Sequence, residues 1–158
     1  MTHTYAARLT WQGNAGTGTS SYTAYGREYQ VLIDGKASLT GSADAHFRGD
    51  PALHNPEDLF VAALSACHML AYLALCARRG VRVIEYEDHA RGTLLTSADG
   101  GRFESVTLHP VVTIAEGSDR GMAEQLHDTA HAQCFIASSC STPVRHEVTI
   151  RVANESLR

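Results

Sequence analysis

The longest organised signal along the chain is helical. In "NPEDLFVAALSACHMLAYLALCARRG", residues 59–77 carry no formal charge and apolar side chains fall on every face. Asn55 can cap this helix, Pro56 suits its first position, and Glu57 and Asp58 favour the positive end of the dipole. Arg78 and Arg79 fall in the last turn and Gly80 is a natural stop. Before it, residues 4–11 ("TYAARLTW") and 20–33 have strand composition, joined by the Gly-rich loop "QGNAGTGT". That loop lacks the lysine and the order of a phosphate-binding loop, so it is expected to be a plain connection. "IDGK" at 33–36 signals a hairpin turn, and residues 37–54 read as a strand end followed by a loop that "FRGDP" breaks.

After the helix, "VRVIEYEDHARGTLL" reads as one half-buried strand whose apolar parity changes, which a bulge near Val83 and Ile84 would reconcile. "SADGGR" is a turn. "FESVTLHPVVTI" is the next strand, with Pro110 pointing to an edge or a bulge. Residues 119–133 predict a second helix, with Met122, Leu126 and Ala130 at spacings of four, and "PVRHEVTIRVA" closes the chain as a strand. The order of strands, long helix, strands, helix, strand predicts an α+β fold with mostly antiparallel sheet. At 158 residues one domain, 1–158, is expected. A helix that is apolar all round needs cover on all sides, which a small chain supplies most simply by packing as a homodimer.

Composition narrows the function. Net charge is −4, the only lysine is Lys36, and no basic cluster is present, which argues against nucleic acid as a partner. Nineteen uncharged residues approach the length of a membrane span. Six of them are alanine, however, and Ser65, His68 and Tyr72 dilute the hydrophobicity, so a core helix is the expectation rather than a span. "MTHTYAARLTW" has no basic segment leading an apolar run, and the cytoplasm is the expected compartment. There, four cysteines are expected to be buried, metal-bound or redox-active rather than structural disulfides.

Cys67 lies mid-helix on a face shared with Leu59, Ala63, Leu70 and Ala74. On such a face a cysteine is either a small hydrophobe or a reactive thiol, and reactivity needs a cation or donor brought from elsewhere. Arg48 in "FRGD", Arg27 in "YGRE" and His68 are the candidates, although His68 points about 100° away around the helix. Cys134 ends the second helix, Cys140 follows it by six residues, and Cys76 reads as structural. His131, Cys134, Cys140 and His146 match no strong zinc spacing, so no metal is expected.

The Asn-Pro-acidic helix start, Cys67 ten residues after Glu57, and a second cysteine in "AHAQC" together resemble the OsmC/Ohr family of thiol-dependent peroxidases. The resemblance covers nearly the whole chain, and "TWQGNAGTGT" with "GSADAHFRGD" lies closer to the OsmC-like branch. It implies an intertwined homodimer with sheets wrapped around the long helices. It also implies reduction of organic hydroperoxides, more weakly hydrogen peroxide, with no metal or prosthetic group and with an external dithiol of lipoyl or thioredoxin type. Carried over, Cys67 matches the peroxidatic cysteine, Cys134 the resolving cysteine and Glu57 the active-site glutamate. The family arginine usually falls where His46 stands; Arg48, two residues on, would keep the same face of a strand. Phe135 stands where many members have proline. The displaced arginine also admits a different reading, a non-enzymatic stress protein that binds a small apolar ligand.

Overall fold

The computed structural model of the chain describes residues 1–153, so residues 154–158 of the expected domain lie outside the described residues. The chain forms two compact units, Met1–Phe60 and a second that begins at Val61.

The first unit is a three-stranded antiparallel sheet, β1 (Arg8–Trp11), β2 (Tyr29–Leu32) and β3 (Leu39–Gly41), in that order. Strand composition over 20–33 overstates the element: residues up to Glu28 lie outside β2, where Arg27 packs on its own loop. The Gly-rich connection is held locally, with the Asn14 carboxamide oxygen accepting from the backbone N–H of Gly16 (2.9 Å) and Gly18 (3.0 Å). The expected β2–β3 turn is present, closed by Lys36 N–H to the Ile33 carbonyl at 3.0 Å with Gly35 at φ 75°. A short 3-10 turn, Ala45–Phe47, follows β3.

Helix α1 (Pro56–Arg79) has the ends its sequence predicts. The Asn55 side chain accepts from Asp58 N–H at 2.8 Å, and Gly80 takes a left-handed φ of 74° just beyond the last turn. Leu64, His68, Tyr72, Leu75 and Cys76 form its buried stripe. On the opposite face Ala62, Ala63 and Ala66 are exposed and Leu70 is 62% exposed, so the described residues leave that side of the apolar helix open. By length and composition alone the helix could cross a membrane.

In the second unit two expected strands each divide into two. The run 81–95 becomes β4 (Val83–Asp88) and β5 (Arg91–Ser97), and 103–114 becomes β6 (Gly100–Leu108) and β7 (Pro110–Ile114). The closing run divides likewise into β8 (Val144–His146) and β9 (Thr149–Val152). The sheets are β4-β7-β9 and β5-β6-β8; β6–β8 and β7–β9 are parallel and the other pairs antiparallel. Each run thus leaves one sheet and enters the other, and the crossings are pinned together. Asp88 Oδ1 accepts from His109 N–H (2.6 Å), His109 Nδ1 lies 3.0 Å from the His89 carbonyl, and Glu147 N–H donates to the Leu108 carbonyl (2.9 Å). The bulge expected at Val83–Ile84 is present as a register shift between Val83 and Glu85. Helix α2 (Arg120–Gln133) is capped by Asp119 and followed by the single-turn α3 (Phe135–Ser138). Tyr72, Leu75, Val112, Ile114, Leu126, Ala130 and Ile150 are among the residues of the core between α1, α2 and the β4-β7-β9 sheet.

Candidate active site

Cys67 and Cys134, both in the second unit, are close enough for their side chains to interact. Cys67 is half-buried on α1, between the buried stripe and the open alanine face. Cys134 ends α2 and caps α3, is 1% exposed, and accepts from Ala137 N–H at 3.5 Å. Burial pushes its thiol above the ordinary value. The adjacent Cys67 adds to that, while the backbone N–H groups of Ala137 and Ile136 oppose it. Those two donors are placed to hold a Cys134 thiolate when one forms. All four cysteines are free thiols. Cys140 directs its sulfur to the carbonyls of Ala137 (3.6 Å) and Thr142 (3.9 Å) in its own loop. Cys76 lies in the core, where burial raises its pKa against the opposing bond from Tyr72.

The two candidate arginines belong to the first unit. Arg27 is committed locally: its guanidinium donates to the carbonyls of Tyr25 and Tyr22 and lies over both rings, 3.9 and 4.6 Å from their centroids. Arg48 is exposed, and its guanidinium has no hydrogen bond or ion pair within its unit. Among the described residues it is the sole non-glycine at positive φ (67°), a conformation that costs a residue with a Cβ and so marks a position held for a reason. It does not lie on a strand, so the expected strand-face equivalence with His46 does not apply. His46 lies within the 3-10 turn, its Nδ1 meeting Asp44 at 2.6 Å, and Arg48 caps the end of that turn. Glu57 lies in the first turn of α1, and its charge, with that of Asp58, raises the Tyr29 pKa after the larger effect of burial. Within the single chain Arg48 and Glu57 form no ion pair.

Sequence reasoning overlooked a histidine cluster beside the thiols. His68 Nε2 lies 2.9 Å from His127 Nδ1, and both side chains are fully buried. Tyr72 stacks on His127 at 3.7 Å between centroids, and His146 lies 5.6 Å from the His68 ring. Burial lowers the pKa of His68 to about 4 and of His127 to about 3, with neighbouring histidines adding to both shifts. The available signal was a polar residue at a core position on each helix: His68 follows Leu64 by four residues and precedes Tyr72 by four. Among the described residues no three His, Cys, Asp or Glu side chains are gathered as a metal site requires.

A profile for OsmC-like proteins matches residues 49–149. The chain belongs to the OsmC-like family. An OsmC-like protein of unknown function from Vibrio cholerae is 33% identical, with 93% of this chain and 99% of that chain covered and a TM-score of 0.83. An organic hydroperoxide resistance protein OsmC from Legionella pneumophila is 20% identical, covering 95% of this chain and 98% of its own, at a TM-score of 0.67. OhrB of Bacillus subtilis, an organic hydroperoxide resistance protein, is also 20% identical, with 93% and 98% covered and a TM-score of 0.60. At those identities the last two establish a shared fold. A search of curated proteins finds no match. The OsmC-like fold accounts for the mixed sheets and the long helix.

Proposed function

We infer that this protein is a thiol-dependent peroxidase that reduces organic hydroperoxides. The observation that carries the reading is the contact between a half-buried Cys67 and a buried Cys134. Hydroperoxide resistance among proteins of the same fold supports it. In the first step the Cys67 thiolate attacks the distal peroxide oxygen; the O–O bond breaks, the sulfur is oxidised to a sulfenic acid, and the alkoxide leaves as alcohol after taking a proton. In the second the Cys134 thiolate attacks that sulfur, an S–S bond forms, and hydroxide leaves as water. An external dithiol of lipoyl or thioredoxin type, itself oxidised to a disulfide, then restores both thiols.

The activating cation is Arg48, free of local partners where Arg27 is bound to its own loop. Its roles are to favour the thiolate and to orient the peroxide, with Glu57 holding the guanidinium. The open alanine and Leu70 face of α1 supports a homodimer, and helix geometry supports sites shared across it. Glu57 and Cys67 stand ten residues apart on α1, about 15 Å along the axis and roughly 80° apart in direction. Glu57 of one subunit therefore serves Cys67 of the other, in the cytoplasm and without metal or prosthetic group. The test is steady-state turnover of cumene hydroperoxide with a dithiol reductant. Wild type is expected to turn over and Cys67→Ser to be inactive; no turnover in wild type would leave the ligand-binding alternative in possession.

A further inference from the structure

Beyond its thiols, the core carries a buried polar pair for which the peroxidase chemistry has no direct use. His68 sits one residue after Cys67 on α1, and His127 sits seven residues, about two helical turns, before Cys134 on α2. Their 2.9 Å Nε2···Nδ1 bond joins the two helices that carry the two thiols. Tyr72, next on the same stripe of α1, donates to the Ala123 carbonyl of α2 at 2.9 Å.

Such a pair is a costly way to fill a core. The outer nitrogens, His68 Nδ1 and His127 Nε2, are buried without partners among the described residues, so either tautomer leaves one N–H and one lone pair unmatched there. Two apolar side chains would fill the space without that penalty, but they would tolerate sliding. A directional bond fixes one register of α2 on α1. We propose that His68 and His127 are positioning residues for the thiol pair: their mutual hydrogen bond seats α2 on α1 so that Cys134 meets Cys67, and protonation of the pair releases the resolving thiol. The inference rests on the thiol-pair reading above.

The acid sensitivity follows from the bond itself. It needs one N–H and one lone pair, so two imidazolium rings facing each other cannot make it, and even one charge would be buried. The groups facing the pair offer little compensation. Tyr72 on α1 and Tyr86 on β4 are neutral, His131 on α2 and His146 on β8 add repulsion, and Asp128 is engaged with His146 Nε2 at 2.9 Å. Asp88, the remaining carboxylate, already accepts from Ser65 at 2.5 Å and His109 N–H at 2.6 Å. Opening to water returns both rings to the ordinary histidine range near 6.5, so below that pH opening is favoured up to about tenfold per unit for each ring.

The experiment measures the equilibrium of the Cys67–Cys134 disulfide with reduced and oxidised glutathione between pH 5 and 7. Wild type and variants carry the same thiols, so the acid loss is read as the difference between wild type and the double variant below. Wild type is expected to lose at least tenfold in disulfide stability from pH 7 to pH 5. His68→Leu should lose about tenfold or more already at pH 7. The double variant His68→Gln, His127→Asn, which keeps a bond of the same geometry without titrating, should match wild type at pH 7 and lack the acid loss. A wild type flat with pH, an unchanged His68→Leu, or an acid loss that persists in the Gln/Asn variant would each overturn the proposal. The equilibrium needs no peroxide, so failure of the peroxidase reading appears separately, as absence of sulfenic acid at Cys67 with cumene hydroperoxide.

Discussion

Replacing Arg48 with glycine separates the backbone at that position from its side chain. With φ 67° and ψ 24°, Arg48 holds a left-handed conformation that costs a residue with a Cβ roughly 1–2 kcal/mol. Glycine removes that strain but loses roughly 0.5–1 kcal/mol through its freer unfolded chain. The net effect is a gain of about 0.5–1 kcal/mol, a rise of roughly 1–4 °C in Tm for a chain of this size. No local contact is lost, because the guanidinium makes none within its unit. Activity should move the other way. A cysteine of ordinary pKa is only about 3% ionised at pH 7, so loss of the activating cation costs up to about 30-fold from ionisation alone, before any loss of peroxide orientation. Thermal melts paired with initial rates on cumene hydroperoxide provide the assay. A variant destabilised by more than about 1 kcal/mol would show that the side chain is structural, and one that keeps its rate would remove Arg48 from the mechanism.

Three further outcomes are expected. His68, held at a pKa of about 4, takes up its proton later than the unfolded chain does as pH falls below about 6.5. Stability is therefore full above that pH and drops by roughly 3 kcal/mol toward pH 4, a loss that urea midpoints should show and that His68→Gln should lessen. Wild type is expected to sediment as a dimer and Leu70→Glu, on the open face of α1, as a monomer, whereas a dimeric Leu70→Glu would place the interface elsewhere. Inactive Glu57→Ala and Cys67→Ser chains, mixed under conditions that exchange subunits, should recover part of the activity, and heterodimers with no recovery would contradict a shared site.

The parts legible in the sequence were those fixed by local chemistry. Asn55, Pro56 and Gly80 delimit α1 because caps and terminators act within a few residues of themselves. The bulge was legible because Val83 and Glu85 break a period of two. Strand divisions were not, since alternation continues through a residue that leaves one sheet for another. Only the distant bonds of Asp88, His109 and Glu147 mark the crossings. Similarly, spacing could place Cys67 and Cys134 on two helices but not side by side. Their contact depends on how α2 packs against α1, which rests on Tyr72, His68 and His127 across gaps of more than fifty residues.

The central claim is the division of labour between two thiols, and one measurement reaches it most directly. Reduced protein would be treated with one equivalent of cumene hydroperoxide, alkylated, digested and mapped by mass spectrometry. The account predicts an intramolecular Cys67–Cys134 link as the main product, formed without Cys140 and absent from Cys67→Ser. A Cys67–Cys140 link, or a Cys67 that stays a free thiol, would contradict it.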